Sequence, residues 1–114
     1  MEYNLEMVRG LTFTETIEIK DDTGVAENLT GSTFLMQIRT YPFSEDYLVS
    51  ATSENGLLVV TAVSGIVDIK LPPVETDNLV YSQSVYDLIQ TKASGDKIRI
   101  IHGRVLVDNG VSRL

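Results

Sequence analysis

The sequence predicts an all-β protein, a sandwich or barrel of antiparallel strands, and three observations carry that prediction. Apolar residues recur with a period of two rather than the 3.6 of a helix. The runs that show this are short and lie roughly 8–15 residues apart. Between them stand clusters of Gly, Asn, Asp and Ser, the residues that tight turns select. At 114 residues, with no internal repeat, low-complexity tract or linker, the chain reads as one domain spanning 1–114.

The elements follow in order. In Phe13-Thr14-Glu15-Thr16-Ile17-Glu18-Ile19-Lys20, apolar residues at 13, 17 and 19 alternate with polar ones, as in a half-buried strand. Thr33 to Thr40 repeats the pattern, with Phe34, Met36 and Ile38 on one face and Gln37 and Arg39 on the other. Leu35 breaks the alternation and predicts that the second face is partly covered. Leu57-Leu58-Val59-Val60-Thr61 is a short continuous apolar run rich in β-branched residues, which suits a strand covered on both faces. Ile66 to Leu71 alternates again, and Val85 to Gln90 and Ile98 to Val107 complete the set. Two stretches read as loops. Pro72 to Leu79 suits a loop with one turn of 3₁₀ or α-helix after Pro73, and Tyr41 to Tyr47 is aromatic and acidic.

The separators are hairpin and turn chemistry. Asp21-Asp22-Thr23-Gly24, Asn28-Leu29-Thr30-Gly31, Glu54-Asn55-Gly56, Ser64-Gly65, Ala93-Ser94-Gly95-Asp96 and Asn109-Gly110 all carry glycine where a left-handed residue is needed. Gly103 is different. It lies inside the last strand pattern and predicts a bulge or a close backbone approach.

Composition narrows the function classes. Sixteen Asp and Glu against nine Lys and Arg give a net charge of −7, which argues against a partner of duplex nucleic acid. The absence of cysteine excludes a disulfide framework, a thiolate metal site and a Cys nucleophile. No apolar run approaches the ~18 residues that span a bilayer, so no membrane contact is expected. The N-terminus has neither the basic nor the apolar region of a signal peptide. The common nucleotide and hydrolase motifs are missing, and the expectation is a protein that is not an enzyme and holds no cofactor.

Individual candidates point the same way. His102 stands alone in a strand, without an Asp or Glu two or four residues away, and reads as a structural or surface histidine rather than a metal ligand. Asp21 and Asp22 lack the alternating spacing of a calcium loop and read as turn residues. Asn28-Leu29-Thr30 matches a glycosylation sequon but is better explained as a turn. Tyr41, Phe43 and Tyr47 gather in one loop. On a monomer these rings are expected to fold back and cap the open end of the sandwich. In an assembling protein the same loop becomes the first candidate for a subunit contact.

The order of elements resembles a family of small tailed-phage structural proteins, the N-terminal immunoglobulin-like domain of phage baseplate upper proteins. Its layout is matched by the Thr- and aromatic-bearing strand Leu11 to Lys20, the Asp-rich turn Asp21 to Gly24 and the step Asn28-Leu29-Thr30-Gly31. Phe34-Leu35-Met36-Gln37-Ile38-Arg39, the hairpins at Asn55-Gly56 and Ser64-Gly65, the strand Tyr86-Asp87-Leu88 and the closing Gly103-Arg104-Val105-Leu106-Val107 follow in sequence. The likeness covers about residues 9 to 113. Where many relatives carry a tryptophan or an alanine-rich turn, this chain has Leu79-Val80-Tyr81-Ser82.

The resemblance implies an antiparallel immunoglobulin-like β-sandwich of about seven to eight strands. It further implies a virion structural protein of tail, baseplate or neck, made and assembled in the host cytoplasm. The partners implied are other phage structural proteins, with homo-oligomers inside the virion and no catalytic residues to carry over. Candidate contacts are the segment Glu2 to Val8, with Tyr3 and Leu5, and the loop bearing Tyr41, Phe43 and Tyr47. The tail Asp108 to Leu114, with Val111 and Leu114, is the third. Both termini are expected to order only on docking. A capsid decoration or cement protein and a carbohydrate-binding adhesion module remain as alternative readings of the same residues.

Overall fold

A computed structural model describes residues 2–110. Eight strands form two sheets. The strands are β1 (Leu5–Val8), β2 (Phe13–Glu18), β3 (Thr33–Arg39), β4 (Val49–Thr52), β5 (Leu58–Thr61), β6 (Ile66–Leu71), β7 (Gln83–Thr91) and β8 (Lys97–Asp108). One sheet has the order β1-β8-β7-β3-β4 and the other β2-β6-β5. A 3₁₀ turn at Ala62–Ser64 joins β5 to β6, and one turn of α-helix, α1 (Pro73–Thr76), leaves β6, as the two prolines predicted.

Alternation places the core. Phe34, Met36 and Ile38 of β3 and Tyr86 and Leu88 of β7 face inward from the larger sheet. Val67, Ile69 and Leu71 of β6 meet them from the smaller one. Two sheets packed face to face with aligned strands bury one side of each, and this is the β-sandwich the pattern called for. Thr76 is the buried polar link between α1 and the turn after β1. Its hydroxyl donates to the Leu11 carbonyl at 2.8 Å and accepts from the Gly10 amide at 3.1 Å.

The structure departs from the sequence reading at four places. Leu5–Val8 is a strand, not a segment waiting for a partner, because β8 supplies it with a parallel edge in the register Leu5↔Val105 to Val8↔Asp108. That pair is the one exception to antiparallel pairing among the described strands. It is allowed because β1 and β2 lie in different sheets, so no hairpin fixes the direction of β1. Val49–Thr52 is a further strand, β4, paired to β3 from Leu35↔Thr52 to Ile38↔Val49. With only four residues and two serine or threonine positions, it carried little period-two signal. Finally, β5 is an edge strand and leaves Val59 exposed, so it is not covered on both faces.

Gly103 shows a close approach rather than a bulge. A Cβ there would stand 2.5 Å from the Tyr3 carbonyl oxygen, where the N-terminal segment crosses β8. The bulge lies nearby: Leu88 pairs with Ile101 and Ile89 with Arg99, leaving Ile100 as the extra residue.

Candidate protein-interaction face

Turn chemistry accounts for the polar motifs first. Asp21 Oδ1 accepts from the Thr23 hydroxyl at 2.6 Å, the Thr23 amide at 2.9 Å and the Val25 amide at 3.1 Å. The Thr23 hydroxyl above all, with those amides, holds the Asp21 carboxyl below its ordinary pKa. Asn28 Oδ1 caps its own turn in the same way, bonding the Thr30 amide and hydroxyl. Among the described residues no His, Asp and Glu cluster could hold a metal ion.

The candidate contacts of the N-terminal segment are fixed in place. Leu5 is 2% exposed and packs in the core, because the β1–β8 register turns it inward; it is not a surface contact. Tyr3 is half exposed but tied down from three sides. Its amide donates to the His102 carbonyl at 2.8 Å, its hydroxyl donates to Glu15 Oε1, and its carbonyl accepts from the Tyr86 hydroxyl. The hydrogen bond to Glu15 and the charge of that carboxylate raise the Tyr3 pKa. Burial does the same, more strongly, for Tyr86. Val111 and Leu114 lie outside the described residues.

The aromatic loop does not cap the sandwich. Phe43 is 91% exposed and Tyr41 and Tyr47 are each 55% exposed. The loop is nonetheless held in shape from within the sheet. Arg39, the last residue of β3, donates to the Ser44 carbonyl at 2.9 Å, the Glu45 carbonyl at 3.1 Å and Gln37 Oε1 at 2.6 Å. Its guanidinium lies 6.0 Å from the centre of the Tyr47 ring, within cation–π range. A short polar segment anchored this way spends its hydrogen bonds on the backbone and leaves its rings to solvent.

The loop continues into the outer face of the five-stranded sheet. On that face the register sets Leu35 beside Ile89 and Arg99, Gln37 beside Asp87 and His102, and Arg39 beside Val85 and Arg104. Pro42 of the loop and Glu2 border the same concavity of about 480 Å³. Leu35 is 37% exposed, so the second face of β3 is open and not covered as its sequence suggested. A second depression, of about 770 Å³, runs between β2 and the first half of β8 and is lined by Ile17, Ile19, Ile98, Ile100 and Tyr3. There β2 is the free edge of its sheet, and β8 is unpaired on its outer side from Lys97 to Ile101. Sequence reasoning found the loop and missed the face. Leu35, Val85 and Ile89 at the outward positions of two adjacent strands were the available signal.

What this arrangement can do is bind another macromolecule. Exposed Tyr and Phe, arginine and a partly apolar floor are the side chains that dominate protein–protein contact energies. No family model matches the chain, and no curated protein matches it in sequence. Among solved structures the fold is similar to that of Tim-1, with a TM-score of 0.53 over 100% of this chain and 98% of that chain, at 9% sequence identity. A likeness at that identity speaks to architecture alone, and the architecture is an immunoglobulin-like β-sandwich.

Proposed function

We propose that this immunoglobulin-like sandwich is a non-catalytic structural protein of a tailed-phage virion, a component of tail, baseplate or neck that acts through protein–protein contacts. The observation that carries the binding role is the exposed aromatic loop, Tyr41, Phe43 and Tyr47, held rigid by Arg39 and continuous with an open, partly apolar sheet face. Rings so exposed are costly to solubility and are retained where a partner covers them. The virion assignment rests on the resemblance of the ordered motifs, from the strand at Leu11 to the closing strand at Gly103, to those of baseplate upper proteins. Free strand edges at β2 and along the first half of β8 add surfaces on which neighbours can build ordered assemblies.

Mass spectrometry and immunogold labelling of purified particles from the genome that encodes the chain test this reading. The expected result is a fixed copy number at the tail. Absence from the particles overturns the proposal, and labelling of tailless heads favours a capsid decoration protein instead. Exposure of all three rings also suits stacking on sugars. Chemical-shift changes at Tyr41, Phe43 and Tyr47 on titration with host glycans would favour the adhesion reading.

A further inference from the structure

We infer that the outer face of the five-stranded sheet docks an acidic protein surface, one that sets two carboxylates on Arg99 and Arg104 across an apolar floor. This rests on the reading that the domain works through protein contacts, and it adds the place and the chemistry of the partner.

The charge distribution carries the inference. Of five arginines in a chain of net charge −7, three stand on this one face: Arg39, Arg99 and Arg104. Elsewhere three cations are matched to carboxylates, Arg9 with Asp77 at 3.6 Å, Lys20 with Glu18 at 3.9 Å and Lys92 with Glu27 at 3.7 Å, while Lys70 and Lys97 stand singly rather than as a pair on one face. Arg39 is consumed by the loop carbonyls. Arg99 and Arg104 make neither an ion pair nor a side-chain hydrogen bond among the described residues. The face also carries Asp87, opposite His102, and Glu2 at its margin, yet neither carboxylate lies within ion-pair distance of these two guanidinium groups.

Covering the face forces a choice on the partner. Leu35 and Ile89 beside Arg99 and Val85 beside Arg104 reward burial, but a buried guanidinium without an acceptor is strongly unfavourable. A partner that covers these apolar side chains must therefore bring acceptors to both positions, and carboxylates are the ones that also neutralise the two charges. Arg99 lies opposite Ile89 and Arg104 opposite Val85, and strand rise sets those positions ~13 Å apart. Guanidinium groups bind carboxylates through paired, planar hydrogen bonds, which fixes orientation as well as charge. Between the two, Asp87 calls for a donor such as a hydroxyl or amide. Phosphate would also satisfy an arginine, but a phosphate chain brings no apolar side chains to cover Leu35, Val85 and Ile89.

The test uses the full chain, labelled with ¹⁵N, and three probes: a short peptide alternating Glu with Val, its Lys-for-Glu counterpart, and an oligothymidylate. The Glu peptide is expected to shift the amides of Leu35, Val85, Ile89, Arg99 and Arg104, with an affinity that falls as salt rises. The double variant Arg99→Glu/Arg104→Glu should bind it about tenfold more weakly or worse. Lys70→Glu, on the other sheet, should leave it unchanged. Arg99→Gln/Arg104→Gln separates loss of charge from repulsion, and a native-like spectrum of each variant confirms its fold. An equal response to the Lys peptide, shifts confined to other surfaces, no response to any probe, or tighter binding of the oligothymidylate through the same residues overturns the inference. A chain found in particles alongside any of those results overturns this inference alone and leaves the structural role standing.

Discussion

Gly103 and Tyr86 show how much of the molecule's closure depends on single residues. Gly103 has no side chain because the Tyr3 carbonyl occupies the space a Cβ would need. Gly103→Ala should cost about 1–3 kcal/mol in denaturant unfolding, since backbone cannot give way as a flexible side chain does. Tyr86 donates to that same Tyr3 carbonyl and pairs with Gly103 across the strands, so the two residues meet the N-terminal segment at one point. Burial raises the Tyr86 pKa above the ordinary phenol value of about 10, so the folded state keeps its proton where the unfolded chain loses it. The stability this provides is fully present below about pH 10 and is lost as pH rises towards the folded value. Tyr86→Phe should therefore flatten the alkaline loss of stability above about pH 10, while costing about 1 kcal/mol at neutral pH for the hydrogen bond. Melting curves from pH 7 to about 11 measure both.

Among the elements, β3 and the loop after it connect the core to the binding surface. Arg39→Ala should release the loop, raising amide exchange from Tyr41 to Tyr47 while global stability changes by about 1 kcal/mol or less. The strands that alternate cleanly were legible in the sequence. β6 matches Ile66 to Leu71 residue for residue, β3 ends one residue short of Thr40, and β8 runs one residue longer at each end than Ile98 to Val107. The turns at Asp21 and Asn28 were legible too, because their chemistry is local and each side chain bonds two residues ahead. What failed was set by distant partners. Leu5 is buried only because β8 lies alongside it, a pairing no local pattern encodes. The aromatic loop was expected to cap the sandwich on grounds of ring exposure alone. Arg39 decides otherwise, since its bonds to the Ser44 and Glu45 carbonyls hold the segment away from the core.

For the molecule as a whole, the net charge of −7 is a property of solubility and encounter, not of fold. Replacing Asp21 and Asp22 by Asn, Glu45 by Gln and Asp46 by Asn removes four negative charges. Asn at position 21 keeps the Oδ1 acceptor its turn needs. Sedimentation velocity should then show self-association at concentrations where the parent chain is monodisperse, and unchanged sedimentation would sink the idea that acidity guards against premature assembly. The pairing of β1 with β8 reaches further still. Leu5 meets Val105 and Asn4 Oδ1 accepts from the Arg104 amide, contacts spanning the length of the domain. On a ribosome adding about 5–20 residues per second, β1 waits about 5–20 s before its partner strand exists. During that interval the apolar side of Leu5 and Met7 has no sheet to join, so the parallel edge can form only after β8 has emerged.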